Sequence, residues 1–344
     1  MKKTIRLFLI AGLSLLALSC QKADKNSGEI RFSASAEPST KTVYGDYNTD
    51  FSHQDINWAQ GDQIYIWSNY ATVRSEPNKH YFTYNLVDID GRFAKLSGTG
   101  GLVYSEEHQG ETDYNFRAFY PASGVTSNIN NDNAGSLTMT IPQNQGGVSG
   151  QVDGSGNITF PADMSSAYMR AEADGCPWKP FGNTDQTINL KFYPFFTAFE
   201  ISVTAQEGVE NMSLKKVSMD GRIVSTKWDG LTGNINISVP SFNVGDYSNV
   251  KPAVYTFPEA VSLVPGKFVT FTIIALPDRY NSVDIYFELG DGQIRQANLS
   301  STLFDAMKKH RLFGLAIPGG FKIFTTRSEL EVYPHVQVND EIDS

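Results

Sequence analysis

Two thiols, five imidazoles and a few neighbouring carboxylates are the groups in this chain with chemistry to offer. The histidines (His53, His80, His108, His310 and His335) are scattered, and no two stand at a spacing that would let them share a metal ion. No Gly-x-Ser-x-Gly elbow raises a serine nucleophile, and no glycine-rich loop between a strand and a helix could cradle phosphate. Asp88-Ile89-Asp90-Gly91 has the spacing that opens a calcium loop but lacks the third acidic ligand and the closing glutamate. It reads as a hairpin turn, and so does Asp153-Gly154-Ser155-Gly156-Asn157. Lys308-Lys309-His310-Arg311 reads as a solvated basic turn. Catalytic, cofactor and metal sites are all absent from this reading, which points away from an enzyme.

The thiols are more informative. Lys2, Lys3 and Arg6 precede an apolar run from Leu7 to Leu18, and the small residue Ser19 stands just before Cys20. That is the layout of an export signal, residues 1–19, and its core is too short to span a bilayer, which takes about 20 residues. A cysteine placed directly after such a core resembles the lipobox of bacterial lipoproteins, although Ala17 stands where leucine is more usual. The resemblance implies that Cys20 is acylated (palmitate among the acyl groups), becomes the mature N-terminus and tethers the protein to the outer membrane. More than one acyl chain holds a protein on a membrane stably.

With Cys20 acylated, Cys176 is left alone and no intramolecular disulfide can form. Stability must then come from buried apolar surface, for which this length is ample. The net charge of −9 becomes more negative once the three basic residues of the signal are removed, a balance that repels nucleic acid. Residues 20–29 are short, polar and charged, the composition of a flexible tether.

The elements beyond the tether read as strands. Twenty-two Phe, 16 Tyr and 29 Gly favour pleated surfaces and tight turns over helices. Phe199, Ile201 and Val203 alternate with Glu200, Ser202 and Thr204. Val269, Phe271 and Ile273 repeat the pattern, as do Ile285, Phe287 and Leu289 before a turn at Gly290-Asp291-Gly292. Asp-Gly pairs beginning at Asp90, Asp153, Asp174, Asp220, Asp229 and Asp291 supply further turn signals. Short strands with frequent turns indicate β-sandwiches. Only Ser300–His310 has helical spacing, through Leu303, Phe304 and Met307. A cluster of Gly, Pro, Asn and Asp within 174–185 marks a boundary between domains at 30–185 and 186–344.

Trp58, Tyr65, Trp67 and Tyr70 could form a platform for stacking sugars, but the alternation of Ile64 and Ile66 with Tyr65 and Trp67 fits two packed sheet faces better. The same stretch carries a family likeness. Ile56-Asn57-Trp58-Ala59-Gln60-Gly61-Asp62-Gln63-Ile64 resembles the Trp-x-x-Gly-Asp-x-Ile turn near the start of fimbrillin-like proteins, the type V pilus subunits of Bacteroidales-type bacteria. Ile30–Ala34 precedes Thr40-Lys41-Thr42, as the family's first strand precedes its Thr-Lys step. Phe116–Pro121, Ile141-Pro142-Gln143-Asn144-Gln145, Ala162-Asp163-Met164 and Leu190–Phe196 are similar to four further family segments in the same order. Pro194 departs from the histidine that is more usual there.

The resemblance implies an all-β protein of two tandem transthyretin-like antiparallel β-sandwich domains, anchored on the outer membrane. It implies assembly with itself or other fimbrial subunits, into or capping a surface fimbria. It also implies proteolytic maturation after a basic residue, Arg31 or Lys41, which removes the first strand and opens a groove for a neighbour's strand. Solvated strand-end charges are the ordinary explanation of both residues. The alternative reading is a non-polymerising surface lipoprotein that binds glycans or host ligands. At the C-terminus, Phe321 and Ile323 form one short strand and Glu329–Tyr333 another. These either complete the second sandwich or swing out to a neighbour.

Overall fold

The computed structural model describes residues 29–36, 43–47, 54–91, 93–127, 135–162, 164–179, 187–225, 229–239, 244–299, 303–319 and 340–341. Cys20, the tether up to Gly28, Lys41 and the strands expected at Phe321–Ile323 and Glu329–Tyr333 lie outside these residues. The chain is all-β: among the described residues the only helical turns are three short 3-10 segments.

Seven strands close into a ring. In ring order they are β1 (Arg31–Ala36), β10 (Thr187–Pro194), β9 (Met169–Cys176), β5 (Tyr114–Tyr120), β2 (Gln63–Ser68), β3 (Tyr81–Asp90) and β4 (Phe93–Ser97). Alternation explains the filling: Phe32, Ile64, Ile66, Tyr84, Phe116 and Phe192 point inward and are almost completely buried. The opposite faces of β2 and β5 are also buried, because Tyr65, Trp67 and Phe119 pack into a second core. The aromatics of this stretch are thus packing residues.

That second core lies between two sheets. One runs β7 (Asn144–Gly146), β15 (Ala253–Leu263), β12 (Met212–Ile223), β17 (Tyr280–Leu289) and β18 (Ile294–Asn298). The other runs from Gln151–Val152 through β8 (Ile158–Thr159), β16 (Val269–Ala275), β11 (Thr197–Ala205) and β19 (Lys309–Ile317) to β20 (Asp340–Glu341). The rings of Tyr255 and Phe271, 4.9 Å apart, and of Phe199 and Tyr280, 5.8 Å apart, join the two. A smaller sheet holds Val125–Ser127, β6 (Ser136–Ile141), β13 (Thr232–Ser238) and β14 (Val244–Lys251). Pairing crosses the expected boundary in both directions: β6, β7 and β8 pair with strands after residue 230, while β10 pairs with β1 and β9.

Three local readings are corrected. Ser300–His310 is not a helix over its described part. Phe304 is fully buried, edge-on to Phe199 at 5.3 Å and bridged to Tyr280, while Met307 takes φ +57° and β19 begins at Lys309. Aromatic packing overrides the 3.6-residue spacing. Lys309 and His310 are 3% and 0% exposed, because β19 lies beside β11 and both cations at Lys309 and Arg311 meet the carboxylate of Glu200. Asp220-Gly221 sits within β12 rather than in a turn. A Cβ on Gly221 would lie 3.0 Å from the Tyr280 ring, which would have to shift to admit it. The turn at Asp291-Gly292 stands as read, with Gly292 at φ +85°.

Candidate maturation and assembly site

β1 joins the two ends of the ring. It runs parallel to β10, with Arg31 opposite Thr187 and Ala36 opposite Phe192, and antiparallel to β4, with Ser33 opposite Lys95. A parallel partner far along the chain holds this strand, so no hairpin ties it to its neighbours. Ile30, Phe32 and Ala34 are 6%, 2% and 2% exposed, whereas Arg31 faces solvent. Phe32 sits edge-on to Tyr84 at 5.4 Å and to Phe116 at 5.3 Å.

The chain entering β1 is fastened by groups that carry no sequence signal. Glu29 accepts a hydrogen bond from the Gly100 amide at 2.7 Å, and the Ile30 amide donates to the Leu102 carbonyl at 2.8 Å. The Leu102 amide in turn donates to the Tyr84 hydroxyl at 2.8 Å, and burial pushes that phenol well above its ordinary range. Tyr84 stays neutral and serves as an acceptor at all physiological pH.

Arg31 and Lys41 differ in what cleavage after each would do. Arg31 is the first residue of a strand paired on the β10 side from its start, so its peptide bond is held in a ladder. A cut there would leave Phe32–Ala36 in place. Lys41 lies beyond the strand, outside the described residues, and a cut after it would release all of β1.

Three of the residues carrying the family likeness meet next to this strand. Trp58 packs edge-on against Tyr120 at 5.3 Å and against Phe192 at 5.4 Å, joining three segments that are far apart in sequence. Asp62 fixes the turn that presents Trp58. One of its carboxylate oxygens accepts the Ala59 amide at 2.6 Å and the other accepts the Tyr120 hydroxyl at 3.0 Å. Gly61 takes φ +92°, which a side chain would resist. Trp58 and Ile64 sit inside the ring. Gln145 is buried and clamps β16 through both of its polar atoms, donating to the Ile274 carbonyl at 2.7 Å and accepting the Ile274 amide at 2.8 Å. Met164 is buried in the second core.

The other candidates fall into structural roles. Asp153 accepts the amides of Ser155 and Asn157 at 2.8 and 2.9 Å, closing its own turn. Asp88 pairs with Lys95 at 2.9 Å. Tyr70 stacks on His108 at 4.2 Å, and burial lowers the His80 imidazole below its ordinary value. No group of three metal-ligating side chains occurs among the described residues. No described helix is long and apolar enough to cross a membrane.

No family model and no curated protein matches the sequence. Among solved structures, the chain is similar to a proposed cell adhesion protein of Bacteroides ovatus at 12% identity and a TM-score of 0.48, over 84% of this chain and 91% of that one. It is similar to a fimbrial protein of Bacteroides vulgatus at 9% identity and a TM-score of 0.35, over 84% and 95% of the two chains. A fimbrial assembly protein of Parabacteroides distasonis is similar at 12% identity and a TM-score of 0.36, over 86% and 92%. These neighbours are of the adhesion and fimbrial class that the sequence motifs resemble, at low identity.

Proposed function

We propose that this chain is a surface lipoprotein of structural or adhesive role, a fimbrillin-like subunit that assembles into or caps a fimbria by strand donation. In this reading Cys20 carries the lipid anchor, the body is two tandem transthyretin-like sandwiches, and the protein does no catalysis. Its partners are copies of itself or other fimbrial subunits, with host surface ligands as the targets of adhesion.

The observation that supports it is the construction around β1. Releasing that strand would leave the inner edges of β4 and β10 with unpaired amides and carbonyls. It would also vacate the sites of Ile30, Phe32 and Ala34, about 7 Å apart along a groove. An extended segment from another subunit with apolar residues at every second position fits that vacancy. Backbone hydrogen bonds would supply affinity, and the alternate pockets would supply register. Of the two basic residues, Lys41 is the cleavage point that empties the whole groove.

Fractionation of cells carrying the wild type and Cys20→Ala, followed by gel electrophoresis without boiling, tests this reading. The wild type should partition with the outer membrane and run as a ladder that collapses on boiling, with part of the protein starting after Lys41. Cys20→Ala should appear in soluble fractions or remain unprocessed. Equal membrane retention of the variant removes the lipid anchor. A wild type that never forms ladders and always starts at Cys20 removes strand donation.

A further inference from the structure

On one side β1 is held along its whole length by β10, from Arg31 opposite Thr187 to Ala36 opposite Phe192. On the other side the hold is divided. β4 pairs only with Ser33–Ser35. Where β4 ends, at Ser97, the chain runs through Gly98–Gly101, and Leu102–Val103 takes over the N-terminal end of β1. Val103 is bridged to Glu29, the Ile30 amide donates to the Leu102 carbonyl, and the Glu29 carboxylate accepts the Gly100 amide. Leu102–Val103 also pairs with Thr72–Val73, in the connection between β2 and β3. Segment 98–103 is therefore a strap with β1 on one edge and that connection on the other.

The strap is seated on one phenol. The Leu102 amide donates to the Tyr84 hydroxyl at 2.8 Å. A Cβ on Gly101 would lie 2.7 Å from that hydroxyl and a Cβ on Gly98 2.6 Å from the Phe82 ring, so the strap backbone rests on these rings with no side chain between. The ring of the same tyrosine packs edge-on against Phe32, an inward residue of β1. Tyr84 thus touches the strap through its oxygen and β1 through its ring. Leu102 is 0% exposed, so its amide depends on that hydroxyl for a partner while the strap is closed. β1 cannot leave the ring while Glu29 and Ile30 remain bonded to the strap. A cut on the C-terminal side of β1 frees the other end and leaves these bonds intact.

We propose that Gly98–Val103 is a latch that must open before β1 can leave the ring, and that Tyr84 is the positioning residue that keeps it shut. This rests on the reading of β1 as the exchanged strand and deepens it. Cleavage alone leaves β1 seated, and the groove is exposed only as fast as the latch opens.

Hydrogen exchange of the full chain, read by mass spectrometry where the rate follows the opening equilibrium, tests the latch without cleavage or assembly. Tyr84→Phe keeps the ring beside Phe32 and removes only the hydroxyl. Peptides covering Gly98–Val103 and Ile30–Ala36 should both exchange at least tenfold faster, while peptides from β2, β5 and β12 change less than twofold. Asp62→Ala loosens the ring at the Trp58 turn instead and should not reproduce that pattern. If it does, Tyr84 is only one structural residue among others and the proposal falls. A rise confined to Gly98–Val103 overturns the coupling, because the strap then opens with β1 in place. No change, or an equal rise in every strand, overturns the role of Tyr84. Should Tyr84→Phe fail to fold, Glu29→Ala, which removes the bond to Gly100 from the other side, carries the same expectation. A wild type that never polymerises would leave a positive result standing, so the latch and strand donation are tested apart.

Discussion

At the scale of single residues, the carboxylates separate by what surrounds them. Asp62 holds two hydrogen-bond donors from two segments, the Ala59 amide and the Tyr120 hydroxyl. Removing an acceptor leaves partly buried donors unsatisfied, so Asp62→Ala should cost about 1–3 kcal/mol in denaturant unfolding, and Asp62→Asn less. Asp220 is the opposite case. Burial raises its pKa, and Asp229 and Asp284 raise it further, with Asp284 directly opposite across β12 and β17. A carboxyl whose pKa is higher folded than unfolded favours folding while protonated, and that contribution is lost as pH rises through the carboxylate range and up to the raised value. Asp220→Asn should therefore raise the melting temperature at pH 8 while changing it little at pH 4. An equal shift at both pH values would show that the charge is not the cause. The motif marks Asp62 as a turn residue, but nothing in the sequence marks Asp220 as strained, because Asp284 and Asp229 approach it only through strand pairing.

At the scale of elements, β1 closes the ring and Gln145 clamps β16. A chain beginning at Thr42 lacks the strand that closes the ring, and a synthetic peptide spanning Ile30–Ala36 should bind it and raise its melting temperature. The same peptide with Phe32→Asp should not, because a buried charge would replace the ring that packs on Tyr84 and Phe116. Stabilisation by both peptides alike would count against a shaped groove. Gln145→Leu keeps the volume and removes both hydrogen bonds to Ile274, so unfolding should become easier by about 1–3 kcal/mol for each backbone group left unpaired. Strands were readable wherever one face is apolar and a turn follows, as in β17 and its hairpin to β18. β11 was readable as a strand but not as one buried on both faces. That depends on β16 and β19 flanking it, and Glu200 gives no hint of two cations arriving from a strand more than a hundred residues later.

At the scale of the whole molecule, the crossing of strands has a mechanical consequence. β6 to β8 belong to sheets built by later strands, and β10 belongs to the ring. A nick introduced between residues 180 and 185 should give two pieces that stay together on size-exclusion chromatography and separate only in denaturant. Pieces that elute apart as folded bodies would refute this. The pieces are held by a shared core in which Tyr65, Trp67 and Phe119 of the ring meet Phe195 and Phe196.

Legible in the chain alone are the strand-rich class, the hairpin at Asp291-Gly292, the single cysteine after Cys20 and the residues of the family likeness. All of these follow from composition, two-residue alternation and local turn chemistry, which act within a few residues of one another. The clustering of Trp58, Tyr120 and Phe192, the departure of Phe304 and His310 from helical spacing into an aromatic core, and the closure of the ring by β1 against β10 come from the folded chain. Each of these rests on contacts between residues tens to more than a hundred positions apart. Loop closure and core packing choose among such contacts, and local alternation is equally compatible with many of them.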